Sequence, residues 1–216
     1  INDKGGQIML GLIKKDFLLI KGNLKLVSII FIVLIFISFE ESSNFVFIPA
    51  FISIILFFST FSYDEYNKWD AYAITFPNGK ENIVKSKYLS TLLLVLFTVL
   101  ITMIIWIIIS IVNNNLDIEY ILLTSFGCFA SVIFLQSIMY PLIFKFGIEK
   151  SRIGIFVGIF ILIAIIGLIS RNIGSIPIEV VSLFNNYWMI IVPLIIIITF
   201  SVSYYLSKKT YMKKEF

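Results

Sequence analysis

Histidine is absent from this sequence of 216 residues, and cysteine occurs only once. Without imidazole, the chain lacks the commonest metal ligand and the usual acid–base group for neutral pH. The single cysteine, Cys128, lies within an apolar run, so the chain cannot form an intrachain disulfide or a multi-cysteine metal site. We expect Cys128 to be a small packed hydrophobic side chain.

Charged residues are also scarce. They make up 14% of the chain, whereas 59% of its residues are hydrophobic and the mean hydropathy is +1.01. A soluble domain carries about 25% charged and about 45–50% apolar residues. A water-soluble fold of this size could not hide so much apolar surface, so the composition predicts an all-α polytopic membrane protein.

Amino-acid usage and net charge give information on the source organism and on partners. Isoleucine, phenylalanine, lysine and asparagine are frequent and alanine is rare. This composition is typical of an AT-rich genome and suits a low-GC Gram-positive bacterium. The net charge of +4 is too small and too dispersed to indicate binding to nucleic acid.

Six apolar segments approach or exceed the roughly 20 residues that a helix needs to cross a bilayer. Backbone polar groups in lipid must be satisfied within the segment, so each is predicted to be a helix. The first contains Lys25 and must therefore begin in the interface. The predicted spans cover residues 24–39, 45–63, 88–112, 120–144, 153–169 and 187–206.

Basic residues alternate with the predicted spans. The two termini and the segments after spans two and four carry sixteen lysines and arginines, whereas the other three loops carry only Arg171. The positive-inside rule places both termini and the two basic loops in the cytoplasm. Adding or removing one span would scramble this separation, so the charges support six spans. The sixteen are Lys4, Lys14, Lys15, Lys21, Lys25, Lys68, Lys80, Lys85, Lys87, Lys145, Lys150, Arg152, Lys208, Lys209, Lys213 and Lys214.

Residues 9–25 precede the first span and have an imperfect apolar face. Leu10, Ile13, Phe17 and Ile20 share an arc of a helical wheel, which favours an interfacial helix over a solvated lead-in. No cleavable signal peptide is expected here. The first methionine is Met9, and Gly5-Gly6 would be encoded a few nucleotides upstream of it, so we expect the natural start at Met9.

The segment from residue 64 to residue 87 is predicted to be a cytoplasmic loop with a short helix over 64–76. On that helix Tyr66, Trp69, Tyr72 and Phe76 fall on one face. Pro77-Asn78-Gly79 then predicts a turn. An aromatic stripe of this kind suits either a groove on a partner protein or the membrane interface, and the residues alone leave both open.

Residues 63–89 resemble the first cytoplasmic loop of small permease subunits of type-2 ABC exporters, most closely those exporting phenol-soluble modulins. Lantibiotic-immunity permeases look similar. The opening 12–16 (LIKKD) also resembles the family's start, whereas Asn78-Gly79 and Lys80 stand where members often have a small residue and arginine. The likeness rests on Asp64, Glu65, Asn67, Lys68, Trp69, Asp70, Tyr72, Pro77, Lys80, Ile83, Val84, Lys87, Tyr88 and Leu89.

The resemblance implies a single transmembrane permease domain over residues 1–216 in the cell membrane. The chain has no phosphate-binding G-x-x-x-x-G-K-[ST] loop, so the implied ATP and Mg²⁺ would be held by a separate ATPase subunit. A second permease copy, or a related permease, would complete the path for amphipathic peptides or antimicrobials. The implied ATPase-coupling residues are Asp64, Glu65, Tyr66, Asn67, Lys68, Trp69, Asp70, Tyr72, Phe76, Pro77, Lys80 and Lys87.

Polar side chains within the predicted spans are few. Gln136, Thr98, Thr102 and Ser125 are candidates for a translocation path, although an interhelical hydrogen bond is the commoner role of such groups. The spans contain no acidic residue, which argues against a proton- or sodium-driven pump.

Three other functional classes share parts of this sequence pattern. The pair Glu40-Glu41 resembles the paired glutamates of CPBP-type intramembrane proteases, but these also need histidine, so no enzyme is expected. A channel lacks a filter motif. A non-transporting immunity or assembly factor would share the topology without needing an aromatic coupling loop, and it remains the alternative.

Overall fold

The computed structural model describes residues 2–38, 47–73, 75–114, 116–154 and 178–214. Within these ranges every regular element is a helix, which confirms the predicted all-α class. The helices are α1 (Asn2–Ser38), α2 (Phe47–Tyr66), α3 (Trp69–Ala73), α4 (Gly79–Val112), α5 (Ile118–Phe146), α6 (residues 148–154) and α7 (Ile178–Met212).

Four of the described helical segments are long and apolar enough to cross a membrane. They are Ile48–Tyr66, Gly79–Val112, Ile118–Phe146 and Trp188–Met212, and they correspond to predicted spans two, three, four and six. Predicted span one falls almost entirely within α1. Predicted span five covers residues 153–169, and all of it after residue 154 lies outside the described residues. Glu40 and Glu41 also lie outside them.

The interfacial helix predicted over residues 9–25 is not a separate element. α1 continues without interruption from Asn2 to Ser38. This stretch contains no proline, and a glycine inside a helix costs only about 1 kcal/mol. The predicted amphipathic lead-in and the first apolar segment therefore form one helix.

The helix predicted over residues 64–76 is divided into two elements. α2 ends at Tyr66, where the backbone N–H and the side-chain Nδ2 of Asn67 both donate to the Tyr63 carbonyl, at 3.1 and 2.9 Å. Lys68 then adopts a left-handed conformation with φ of +50°. These contacts satisfy carbonyls that a helix end leaves open. The predicted single stripe of aromatic residues is therefore wrong, because Tyr66 lies on α2 and Trp69 begins α3.

The predicted turn at Pro77-Asn78-Gly79 is present, but the chain re-enters a helix at once. Asn78 has φ of +55°, and α4 begins at Gly79. The basic residues from Lys80 to Lys87 therefore occupy the first turns of α4 instead of a loop.

The helix α5 continues through Pro141. Proline has no backbone N–H, so the carbonyl of Ser137, four residues earlier, loses its helical donor. The Ser203 hydroxyl of α7 donates to that carbonyl at 2.5 Å. A neighbouring helix thus supplies the missing hydrogen bond, as proline within an apolar bundle requires.

A buried aromatic group joins α2, α4, α5 and α7. Tyr88 and Tyr140 stack with their ring centroids 3.8 Å apart, and the edge of Phe57 packs against Tyr140. The Tyr88 hydroxyl hydrogen-bonds with Ser203 and Ser207, at 2.6 and 2.8 Å. This group belongs to the same buried cluster as Ala73 of α3.

Candidate functional site

Four charged side chains from α1, α2 and α4 form a buried ion cluster: Lys15, Asp16, Asp64 and Lys87. The Lys87 ammonium lies 2.9 Å from Asp16 Oδ1 and 2.7 Å from Asp64 Oδ2. Lys15 Nζ lies 2.5 Å from Asp64 Oδ1. Lys87 and Asp16 are only 3% and 1% exposed, so this pair is removed from water.

The surroundings of the ion cluster add hydrogen bonds to Asp16 and Lys87. The Ser90 hydroxyl donates to Asp16 Oδ2 at 2.8 Å, and Lys87 also reaches the Thr60 carbonyl at 3.4 Å. The Phe61 ring lies 4.8 Å from the Lys87 ammonium. Two lysines balance two aspartates, and buried charges persist when they are paired and hydrogen-bonded in this way.

The ion cluster is joined to α3 through Trp69. The Lys15 ammonium lies 4.5 Å from the centre of the Trp69 ring, a distance at which a cation is attracted to the ring face. Ala73 is buried, and Trp69 and Phe76 pack against the core beside it. The inner side of α3 is therefore held by α1, α2 and α4.

The outer side of the same segment is open. Tyr66 is 87% exposed and Tyr72 is 58% exposed. Lys68 is exposed between them, in its left-handed turn. Tyr72 is nevertheless supported, since its ring contacts Trp69 and Phe76 with centroids 5.3 Å away in each case.

The twelve predicted coupling residues therefore divide by exposure. Asp64 and Lys87 are buried; Trp69, Asp70, Phe76 and Lys80 are half-buried; Glu65, Tyr66, Asn67, Lys68, Tyr72 and Pro77 are exposed.

Glu65 links the end of α2 to the start of α6. Its carboxylate accepts a hydrogen bond from the Ile148 N–H at 2.6 Å, at the first turn of α6. A carboxylate at a helix N-terminus is stabilised by the free N–H groups there. Gly147 has φ of +79°, and a Cβ added to it would lie 3.1 Å from Glu65 Oε1, so this turn requires glycine.

Lys80 and Glu81 connect the start of α4 to the end of α7. Lys80 donates to the carbonyls of Met212 and Lys214, at 3.2 and 2.7 Å. Glu81 pairs with Lys208 and Lys85, each at 2.8 Å. Cations beside the last carbonyls of a helix complement its dipole.

Asp70 faces this junction from α3. Burial raises the pKa of its carboxyl above the ordinary value of 3.8, although the Tyr211 hydroxyl and the Lys214 ammonium act in the opposite direction. The charged form of Asp70 is thus less favourable here than in water.

These contacts gather four basic segments of the sequence at one end of the bundle, which we call the loop end. Lys15 reaches it from α1, residues 64–87 form it, α6 begins there, and α7 ends there. The assignment of the loop end to the cytoplasm stays a prediction.

The four residues predicted to line a path are distributed over two helices. The Thr98 hydroxyl bonds with Ser53 at 2.7 Å, and Thr102 bonds back to the Thr98 carbonyl. Gln136 is buried on α5, and its Nε2 has no hydrogen-bond partner within the described part of the chain. Ser125 is half-buried on the same helix.

Sequence reasoning missed Lys15, Asp16 and Ser90 as members of the site. Lys15 and Asp16 belong to the family-like opening 12–16, and Ser90 is part of no motif. One signal was present: Asp16 is the sole acidic residue between Lys4 and Glu40, on a segment otherwise rich in lysine. A lone acid there indicates a specific cationic partner, but the sequence does not identify Lys87 as that partner.

A protein-family model described as ABC-2 family transporter protein matches residues 11–212 of the chain. The match includes the ion cluster, α3 and both ends of the loop. No match to the chain is found among curated proteins or among solved structures.

Proposed function

The chain belongs to the ABC-2 family of transporter proteins, and from this premise we propose that it is the permease subunit of an exporter for amphipathic peptides or related antimicrobials. Membership makes it the membrane component of an ABC transporter and implies a partner ABC ATPase. Export as the direction, and amphipathic peptides as the cargo, are our proposals. They follow from the resemblance of residues 63–89 and from the absence of acidic residues in the predicted spans.

The coupling role is supported by one observation: α3 and the residues that flank it have one side packed against the core and one side exposed. Tyr66 and Tyr72 are exposed, while Trp69 and Phe76 pack inward. Aromatic anchors are typical of protein interfaces. We therefore assign the ATPase contact to Tyr66, Lys68 and Tyr72 and the mechanical support to Trp69 and the ion cluster.

The ion cluster would then transmit a movement of α3 to the membrane helices. ATP and Mg²⁺ would be bound by the partner ATPase, whose closure would displace α3. Lys15 contacts both Trp69 and Asp64, and Lys87 contacts both Asp64 and Asp16. A displacement of α3 would therefore reach α1, α2 and α4 together, because a packed, paired cluster transmits movement instead of absorbing it.

The complete transporter in this proposal has six spans per chain, both termini in the cytoplasm and two permease copies in the cell membrane. The basic segments gathered at the loop end support this topology. Loop ends of two copies would face two ATPase subunits, and cargo would pass between the copies.

A non-transporting immunity or assembly factor is the alternative, and one experiment separates it from the exporter. The native complex is purified in mild detergent and its subunits are weighed by mass spectrometry. An ATPase recovered in a fixed ratio with the wild-type chain and reduced by Tyr66→Ala supports the permease role. Recovery of the chain alone, even after crosslinking, contradicts it.

Cargo is tested separately in proteoliposomes containing the chain and its ATPase. Amphipathic peptides should stimulate ATP hydrolysis and accumulate on the side opposite the ATPase. ATP hydrolysis that is unaffected by such peptides would contradict the proposed cargo while leaving the permease role intact.

A further inference from the structure

A cleft of about 500 Å³ lies between α1, α2 and α4. This volume is within the range of about 300–1,000 Å³ that small-molecule pockets occupy. Among the described residues that line it, ten of thirteen are apolar and Lys21 alone is charged. The Thr98 hydroxyl in its wall is already engaged by Ser53. The cleft is thus an apolar groove with a single cation.

The length of the cleft matches one leaflet of a membrane. It extends along α1 from Phe17 to Phe31, which corresponds to about 21 Å at 1.5 Å per residue. Half of a bilayer is about 15 Å thick in its hydrocarbon core and about 20–22 Å thick with its headgroup region. The end at Phe17 adjoins the ion cluster, since Asp16 is the preceding residue, so the cleft begins near the loop end and extends towards the middle of the bundle.

The cleft is long relative to its volume. It extends about 21 Å along α1 and holds about 500 Å³. An extended hydrocarbon chain is the kind of group that fits a long, thin apolar groove.

The cation at the cleft has no partner of its own within the described part of the chain. Lys15 and Lys87 are neutralised in the ion cluster, whereas Lys21 is exposed and makes no ion pair with a described residue. Its long stem can lie along the apolar wall while its ammonium reaches the headgroup level. Basic pockets between membrane helices on the cytoplasmic side recognise anionic headgroups.

We propose that this cleft binds one anionic phospholipid of the leaflet at the loop end, with an acyl chain in the groove and the headgroup phosphate on Lys21. The bound lipid would fill the space between α1 and the α2–α4 pair and complete the packing of α1. This role is separate from the proposed export function and does not depend on it.

The experiment measures lipid binding to the purified, delipidated chain by native mass spectrometry, with phosphatidylglycerol and phosphatidylcholine as probes. Wild-type protein should bind one phosphatidylglycerol about fivefold more tightly than phosphatidylcholine, the effect of one lysine near an anionic surface. Lys21→Gln should remove this preference. Lys209→Gln, which removes another exposed lysine, near the end of α7, is the control and should retain it.

A second variant tests the groove itself. Ser28 is exposed and lines the cleft, so Ser28→Trp should fill it and reduce the binding of both lipids, whereas Ser201→Trp on an exposed position of α7 should not. Equal binding of the two lipids to wild type, or unchanged binding by Lys21→Gln, overturns the proposal. A Ser28→Trp variant that binds lipid as wild type does but has a different oligomeric mass also overturns it. The occupant of the cleft would then be a second copy of the chain.

Discussion

The two sides of the segment 64–87 differ in almost every physical respect. The inner side holds Asp64 and Lys87 in a nearly dry ion cluster and packs Trp69 beneath the Lys15 ammonium. The outer side presents Tyr66 and Tyr72 to the surroundings. In the sequence the two sets are interleaved and similar in composition. Such a segment can be both a support and a contact surface, so a substitution on the inner side should lower stability whereas one on the outer side should reduce coupling.

The largest effect on stability is expected from Lys87→Met on the inner side. Removal of one member of a buried ion pair leaves uncompensated charge, which costs about 3–5 kcal/mol. Asp16 and Asp64 would then share only Lys15. Thermal unfolding in detergent, followed by tryptophan fluorescence, should show a large fall in Tm.

Lys85→Met is the matched control for that variant. It removes a lysine two residues earlier on α4 whose partner, Glu81, is at the surface. Exposed pairs contribute about 0–1 kcal/mol. Similar unfolding of the Lys87 and Lys85 variants would contradict a structural role for the ion cluster.

The next largest effect is expected at the turn that Glu65 holds. Gly147→Ala should cost about 1–3 kcal/mol, because Gly147 has φ of +79° and ψ of 174°, a region open almost only to glycine. Gly127→Ala within α5, the helix that ends just before Gly147, is the control, since a Cβ there meets no atom within 4 Å. Thermal unfolding of the two variants measures the difference, and equal Tm values would show that the turn is not constrained as described.

Tyr66→Ala tests the outer side and should barely change stability. A surface substitution is usually within about 0.5 kcal/mol, and Tyr66 is 87% exposed. The expected loss is instead in cargo-stimulated ATP hydrolysis by the reconstituted complex. Tyr205→Ala removes another tyrosine that is 64% exposed, on α7, and should retain that activity. Normal coupling in the Tyr66 variant would contradict the assigned contact.

The smallest effect is expected from Asp70→Asn, at the boundary between the two sides. Because the folded-state pKa of Asp70 is raised above 3.8, the folded chain binds more protons than the unfolded chain between the two pKa values. The stability contribution of Asp70 therefore falls as pH rises through that interval. The Tm of the Asn variant minus that of the wild type should increase with pH between about pH 4 and about pH 8 and then level off. A constant difference would contradict the raised pKa.

Several features of the site were predictable because they depend on local chemistry. Pro77-Asn78-Gly79 forms the predicted turn, and Asn78 adopts the left-handed conformation that asparagine tolerates. The break at Lys68 was not predictable, because nothing in Asn67-Lys68 opposes a helix strongly. The contacts of Trp69 with Lys15 and with the core decide where α3 must lie.

The all-α class of this protein follows from its residues alone. Apolar runs of sufficient length become helices because a backbone in lipid must satisfy its own hydrogen bonds, and the placement of the lysines predicts which loops face the cytoplasm. The folded arrangement of the helices was needed to show that Asp16 meets Lys87, 71 residues away, and that the Ser137 carbonyl freed by Pro141 accepts from Ser203. Such pairings depend on which helix faces are brought together, and that is set by the packing of whole helices and not by the residues flanking each partner.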